Sequence, residues 1–228
     1  MTKRSYQHLP PNILPVHIGN KTRLTTKNLT PTLQVYGEKL VTISGIEHRL
    51  WLPRRSKLSA MIEKDMSIPI KKNSNILYLG AASGTTASHI SDIIEEGRVF
   101  AVDISPRAVQ ELIKLSKVRS NMIPILADAT RPISYKAVVE SVDVIYQDVA
   151  HPDQAKIALV NAKEFLKDDG LVIMQIKARS IDSTLNPSQV YKMQLNKLEN
   201  KFTILNKQIL KPFYKDHLAL IAKWRKSH

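Results

Sequence analysis

Leu77-Tyr78-Leu79-Gly80-Ala81-Ala82-Ser83-Gly84-Thr85-Thr86 reads as a buried strand that breaks into a tight loop of small residues and opens a helix. Gly80 and Gly84 can take backbone angles that other residues avoid, and the lack of bulky side chains lets main-chain N–H groups approach a ligand closely. A corner of this kind can hold a nucleotide-like cofactor. The spacing is Gly-x-x-x-Gly, with Ala82 where the second glycine of the Gly-x-Gly-x-x-Gly dinucleotide fingerprint would stand. Plain strand-to-helix turns share that spacing, so its meaning depends on the surrounding chain.

Downstream, apolar strand runs alternate with helical periodicity, the pattern of a parallel sheet covered on both faces. Strands are predicted over Ile76–Leu79, Val99–Val102, Ile123–Ala127, Val142–Gln147 and Leu171–Ile176, ending at Asp103, Asp128, Asp148 and Lys177 after the first. Helices are predicted over Thr85–Ile94, from Ser105-Pro106 onward, over Ala155–Leu166 and over Gln189–Leu198. In the second of these Ser105 is the N-cap, Pro106 the first helical residue, and Val109, Leu112, Ile113 and Val118 the apolar stripe. Two strand runs, Phe202–Leu210 and Leu218–Trp224, follow with no helix between them, so an antiparallel hairpin is expected to close the sheet. The fold class is thus α/β, with a mostly parallel sheet of seven strands.

Upstream, Val16–Ile18, Leu33–Tyr36 and Val41–Ile43 are short β-like runs punctuated by Gly19-Asn20, Gly37-Glu38 and Ser44-Gly45. Residues 1–50 read as a small N-terminal antiparallel β module packed on the main domain, which spans residues 51–228. Leu58–Ile62 reads as a short helix between them.

The formal net charge is +14, carried by the flanks: residues 1–75 hold a net +9 and residues 176–228 a net +8, around a middle of net −3. An excess of this size favours a polyanionic partner, nucleic acid before membrane. Arg49, Arg54, Arg55, Lys57, Lys71 and Lys72 on one side and Lys177, Arg179, Lys192, Lys197 and Lys201 on the other are expected to grip backbone phosphates. Aromatics make up only 6% of the chain, so reading of single strands by base stacking is not expected. With no Cys, disulfides and thiolate metal sites are excluded, and no metal site is expected. The opening Met1–Tyr6 leads into Gln7, His8 and prolines rather than an apolar run, and no stretch approaches the ~20 apolar residues of a membrane span. A cytoplasmic protein without a membrane association is expected.

In open parallel sheets the ligand sits beyond the carboxyl ends of the strands, where Asp103, Asp128, Asp148 and Lys177 fall. Asp103 lies 23 residues after Gly80, near the separation at which a carboxylate meets a ribose hydroxyl pair. Both a nicotinamide dinucleotide and S-adenosylmethionine fit. The second is favoured, because the loop lacks the glycine that admits a pyrophosphate, the strands end in carboxylates, and a sulfonium cation prefers an acidic pocket.

The blocks Arg54–Leu58, Leu77–Thr86 with Ser88–Asp92, Asp148–Gln154, Ile176–Ala178, Ile181–Thr184 and Tyr214–His217 together resemble fibrillarin, over residues from about 47 to the C-terminus. That family comprises the S-adenosylmethionine-dependent 2′-O-methyltransferases of the box C/D guide-RNA particle, with a Rossmann-like class I methyltransferase fold. The glycine- and arginine-rich tail of eukaryotic members is absent, so the resemblance is to the archaeal form.

The resemblance implies that Gly80, Ala81, Gly84, Thr85, Thr86, Asp103, Ile104, Asp128, Ala129, Asp148, Val149, Ala150 and His151 line the cofactor site. Many relatives carry Glu in place of Asp103 and Gln in place of His151. It also implies a catalytic set of Lys57, Asp148, Lys177 and His217. In that set Lys177 is the base or oxyanion stabiliser, Lys57 a second cation that helps lower its pKa, Asp148 the group orienting lysine and cofactor, and His217 a ribose-positioning or proton-moving group. Implied partners are box C/D guide RNA, target rRNA or tRNA, a Nop-domain scaffold protein and a kink-turn-binding protein. A nicotinamide-dependent oxidoreductase and a non-catalytic RNA-binding scaffold are the alternatives.

Overall fold

The structure is a computed structural model that describes Tyr6 and residues 9–225; the opening residues on which the leader reading rests lie outside it. Within the described residues the chain forms two sheets. The first is antiparallel, with order β1-β2-β4-β3, from β1 (Ile13–Ile18), β2 (Lys21–Lys27), β3 (Leu40–Ile43) and β4 (Ile46–Trp51). Gly19-Asn20 and Ser44-Gly45 make the two hairpin turns, as their residue types require.

After α1 (Lys57–Glu63) come β5 (Ile76–Leu79), α2 (Thr85–Ile93), β6 (Val99–Asp103), α3 (Pro106–Ser116), β7 (Met122–Leu126) and β8 (Val142–Gln147). Then follow α4 (Gln154–Phe165), β9 (Leu166–Lys177), α5 (Ala178–Ile181), α6 (Pro187–Glu199), β10 (Phe202–Ile209) and β11 (His217–Trp224). The second sheet has seven strands in the order β10-β11-β9-β8-β5-β6-β7. Its pairs are parallel from β9 to β7 and antiparallel at β9–β11 and β11–β10, so the expected hairpin closes it.

All four residues of β5 are buried, because both faces of a central parallel strand are covered. Ile76 and Tyr78 enter one core, shared with Leu24, Trp51, Met61 and Ile90, so the N-terminal sheet, α1 and α2 pack on that face. Leu77 and Leu79 enter the opposite core with Ile157, Phe165, Val190 and Leu198 of α4 and α6.

Three expectations are corrected. Leu33–Tyr36 is not a strand: the Glu38 carboxylate accepts hydrogen bonds from the backbone N–H groups of Val35 and Tyr36, which bends the segment into a loop. Of the expected stripe α3 buries Val109 and Leu112, whereas Ile113 is exposed and so is Val118, which lies past the end of the helix. β9 begins at Leu166, straight after α4, and absorbs Asp169 (φ 64°) and Gly170 in a register shift against β8 rather than starting at Leu171.

Arg49 is a fourth correction. It is wholly buried between the N-terminal sheet and α2, where Nε meets Glu38 Oε1 at 2.6 Å, Nη1 meets Asp92 Oδ2 at 2.8 Å and Nη2 donates to Ser88 Oγ. Arg119 reaches Asp92 Oδ1 at 2.5 Å and donates to Thr30 Oγ1, so two guanidinium groups share the one carboxylate. His89 lies stacked on Trp51, with both ring nitrogens in hydrogen bonds to the hydroxyls of Thr26 and Tyr36.

Candidate active site

Sheet order reverses between β5 and β8, which opens a crevice at the carboxyl ends of these two strands. The loop from Gly80 to Gly84 forms one wall. Gly80 has φ +81°, and a Cβ there would stand 2.8 Å from the Asp148 carbonyl oxygen, so the first loop glycine lets β5 and β8 end side by side. Ala82 takes φ 49° although it is not glycine, and its N–H donates to Asp103 Oδ2 at 2.8 Å. Gly84 caps α2 at φ +94°, close against Leu115 and Leu112 of α3.

The remaining wall residues fall around this loop. Asp103 also accepts from the Ser105 N–H, which fixes its carboxylate at the end of β6, and the adjacent Ile104 side chain is 67% exposed. Asp128, beyond β7, accepts from Thr130, and those hydrogen bonds hold its carboxyl below the ordinary value, with His151 contributing. His151 Nδ1 accepts from the Asp153 N–H. Ala129 is tied through its carbonyl to Asn161 of α4, and Val149 lies against Gly80. Ala81 is buried, Ala150 exposed and Thr85 half-buried. Thr86 differs from these: its hydroxyl donates to Ser56, the N-cap of α1, so it couples the loop to the helix that starts with Lys57.

Lys57 reaches across to Asp148, with Nζ 2.7 Å from both carboxylate oxygens. The pair is only partly shielded, with side chains 18% and 21% exposed. Burial raises the Asp148 carboxyl above its ordinary value, against the opposing pull of Lys57, His217 and Lys177. Of the two lysines, Asp148 binds Lys57 directly and acts on Lys177 only through space.

Lys177 ends β9 and is the cross-strand partner of His217, the first residue of β11. His217 Nδ1 lies 2.6 Å from the Lys215 carbonyl, which can only accept; Nδ1 therefore carries the hydrogen, and the neutral ring accepts at Nε2. Burial depresses the His217 pKa, opposed by the Lys215 bond and assisted by Lys57. The four residues of the expected catalytic set thus gather at the ends of β8, β9 and β11 and the start of α1.

Two participants were not legible beforehand. The Tyr214 ring lies 5.2 Å from Lys57 Nζ and 5.6 Å from the His217 ring, filling the space between them. Gln154 binds the backbone of Lys177 through both ends of its carboxamide. Both stand in the sequence blocks already singled out, but nothing in spacing or residue type announces a cation–π contact or a side chain paired to a strand end.

The residues present fit S-adenosylmethionine. Three carboxylates at successive strand ends suit ribose hydroxyls and a sulfonium, Ile104 offers an apolar surface, and the cradle at Gly80 leaves no room for a side chain. Among the described residues no group of three or more His, Asp or Glu is placed to hold a metal ion, and no helix is long and apolar enough to cross a membrane.

Comparison with known proteins agrees. The fibrillarin family model matches residues 6–226. The fibrillarin-like rRNA/tRNA 2′-O-methyltransferase of Methanosarcina barkeri is 53% identical over 210 residues, covering 90% of this chain and 93% of that protein. Aeropyrum pernix fibrillarin, solved with natively bound S-adenosyl-L-methionine, is 44% identical with a TM-score of 0.87, covering 92% and 94%. The fibrillarin of a fibrillarin/Nop5p complex is 41% identical, also at 0.87, covering 96% of this chain and all of that one.

Proposed function

The chain belongs to the fibrillarin family, and we propose that it transfers the methyl group of S-adenosylmethionine to ribose 2′-hydroxyls of rRNA and tRNA, directed by box C/D guide RNA. The observation that carries this reading is the Lys57–Asp148 ion pair, with Lys177 and His217 beside it, at the strand ends next to the Gly80 loop. The oxidoreductase alternative falls with the family assignment.

S-adenosylmethionine supplies an activated methyl on a sulfonium, held by the loop Gly80–Thr86 and the carboxylates Asp103 and Asp128, with Ile104, Ala129 and Val149–His151 closing the site. The chain's own task is to place the 2′-oxygen in line and remove its proton. As the O–C bond forms and the C–S bond breaks, the hydroxyl proton passes to His217 Nε2, the acceptor that the Lys215 contact leaves facing outward from the bonded nitrogen. Lys177 stabilises the developing negative charge on that oxygen. Asp148 holds Lys57 as a fixed cation beside the crevice, and its partial burial keeps the pair from being lost to solvent.

Arg54 and Arg55 precede α1 at the surface, and Arg179 stands in α5, where it also pairs with Asp216 next to His217. These cations grip the RNA backbone around the site without reading sequence. Sequence choice then comes from base pairing with the guide, organised by a Nop-domain scaffold and a kink-turn-binding protein. A cytoplasmic setting follows from this reading.

The deciding experiment incubates the chain with labelled S-adenosylmethionine, target RNA, guide RNA and both partner proteins, and maps the modified ribose. A single guide-specified 2′-O-methyl is expected. Folded Lys177→Ala should lose roughly a hundredfold or more of turnover; wild-type turnover in that variant would overturn the assignment of Lys177.

A further inference from the structure

We infer that Gln154 is a positioning residue that holds Lys177 in place by standing in for a strand that β8 is too short to supply. The inference rests on the reading of Lys177 as a group that faces the reacting oxygen. In the parallel ladder between β8 and β9 the last pair is Gln147 with Met174, so Gln175, Ile176 and Lys177 run three residues beyond the end of β8. On the other edge β11 continues to the end, pairing His217 with Lys177. One edge of the strand end that carries Lys177 would therefore be bare.

Gln154 fills it. Its Oε1 accepts from the Lys177 backbone N–H at 3.0 Å, and its Nε2 donates to the Lys177 carbonyl at 3.3 Å. One acceptor and one donor on the same residue are what a paired strand would have offered. Gln154 is fully buried, so water is not at hand to replace either bond. Its own carbonyl accepts from Gln147 Nε2 at 2.8 Å, and Gln147, also fully buried, immediately precedes Asp148.

The strap therefore runs from the residue before Asp148, through the first residue of α4, to Lys177 and across the ladder to His217. The carboxamide of Gln154 ties down the strand end that carries Lys177, and through the ladder its partner His217, while the Gln154 main-chain carbonyl, held by Gln147, joins that end to the one that carries Asp148. The Lys177 ammonium has a long flexible stem, and a fixed Cα is the precondition for any reproducible placement of its charge.

The test uses the full chain in the assembled particle, with Gln154→Met, which keeps shape and loses both bonds, and Gln154→Glu, whose buried protonated carboxyl can both accept and donate. Amide hydrogen exchange at Lys177 should rise in Gln154→Met and stay near wild type in Gln154→Glu. Turnover of Gln154→Met should fall about a hundredfold while KM for S-adenosylmethionine stays within about twofold, and Gln154→Glu should recover most of the rate. In a Lys177→Ala background Gln154→Met should cost nothing further, because its effect passes through Lys177.

Wild-type exchange or wild-type turnover in Gln154→Met overturns the proposal, as does a loss that multiplies with that of Lys177→Ala. If Gln154→Met does not fold, Gln154→Asn, one methylene too short to span both bonds, is read by the same criteria. A wild-type particle that transfers no methyl would sink the functional reading, and amide exchange at Lys177 would still decide whether the strap exists.

Discussion

Two clusters of charge in this molecule use the same residue types for different ends. Between the N-terminal sheet and α2, Arg49, Arg119, Asp92 and Glu38 are fully or nearly fully buried, and the Asp92 carboxylate is enclosed by two guanidinium groups, a hydroxyl and a backbone N–H. At the carboxyl edge, Lys57 and Asp148 pair at 2.7 Å but remain about one-fifth exposed, with Lys177 and His217 adding positive or neutral groups that the one carboxylate does not bind directly. A dry network, closed to solvent and paired throughout but for Arg119 Nε, has no opening for a ligand, and removing a partner strands a charge. A half-open one can lend its groups to a substrate. Exposure, rather than the presence of charge, separates architecture from chemistry here.

Exchanging one carboxylate for its amide in each cluster should give opposite results. Asp92→Asn leaves two buried guanidinium groups around a neutral side chain, and unfolding in urea should show a loss of about 3–5 kcal/mol. Any chain that remains folded should bind S-adenosylmethionine as before. Asp148→Asn should leave stability within about 1 kcal/mol of wild type, because a partly exposed ion pair contributes little and the amide relieves a desolvated carboxylate. Its turnover should fall at least about a hundredfold. A Asp148→Asn variant that is as unstable as Asp92→Asn would erase the distinction drawn between the clusters.

Histidine titration sharpens the same contrast with a smaller effect. Burial, aided by Arg49 and Arg119, pushes His89 well below its ordinary pKa, and both its nitrogens are already bonded. Below pH 6.5 the unfolded chain takes up a proton that the folded chain refuses. Stability is therefore fully present above that pH and falls as pH drops toward the folded value, by up to about 1.4 kcal/mol per pH unit. Urea midpoints at pH 7.5 and 5.5 should show this slope in wild type and a shallower one in His89→Gln. His217 is depressed in the same direction but sits in the open cluster, so its variant His217→Gln should retain most of the slope and instead lose turnover at pH 7.5. A flat wild-type profile would mean that protons enter the closed network freely.

What could be read beforehand follows the same division. Strand ends were legible because apolar runs stop at charged residues, so Asp103, Asp128, Asp148 and Lys177 were placed at the crevice by pattern alone. Arg49 shows where pattern stops working. Its charge was visible and suggested phosphate, but its fate was set by Glu38, eleven residues earlier, and Asp92, forty-three residues later. Leu33–Tyr36 failed for the same reason, since an apolar, β-prone run was bent by a carboxylate whose position depends on Arg49. Lys57 and His217 could be assigned only through family resemblance, because their partners come from other elements. Gln154 and Tyr214 act by contacts that no local spacing encodes.

The smallest effect concerns Tyr214, which belongs to the open cluster without carrying a charge. Its ring lies 5.2 Å from Lys57 Nζ, on a cation that also pairs with Asp148, so it limits where the ammonium can go. Burial and the nearby Asp148 charge raise its hydroxyl pKa, which keeps the phenol neutral. The ring, then, and not the oxygen, should matter. Tyr214→Phe is expected to stay within about twofold of wild-type turnover, and Tyr214→Leu to lose about two- to fivefold, the worth of one cation–π contact at a partly exposed site. Single-turnover rates with bound S-adenosylmethionine separate the two. Equal losses in both variants would move the role from the ring face to the hydroxyl, and would place a second polar group, rather than a mere wall, in the half-open site.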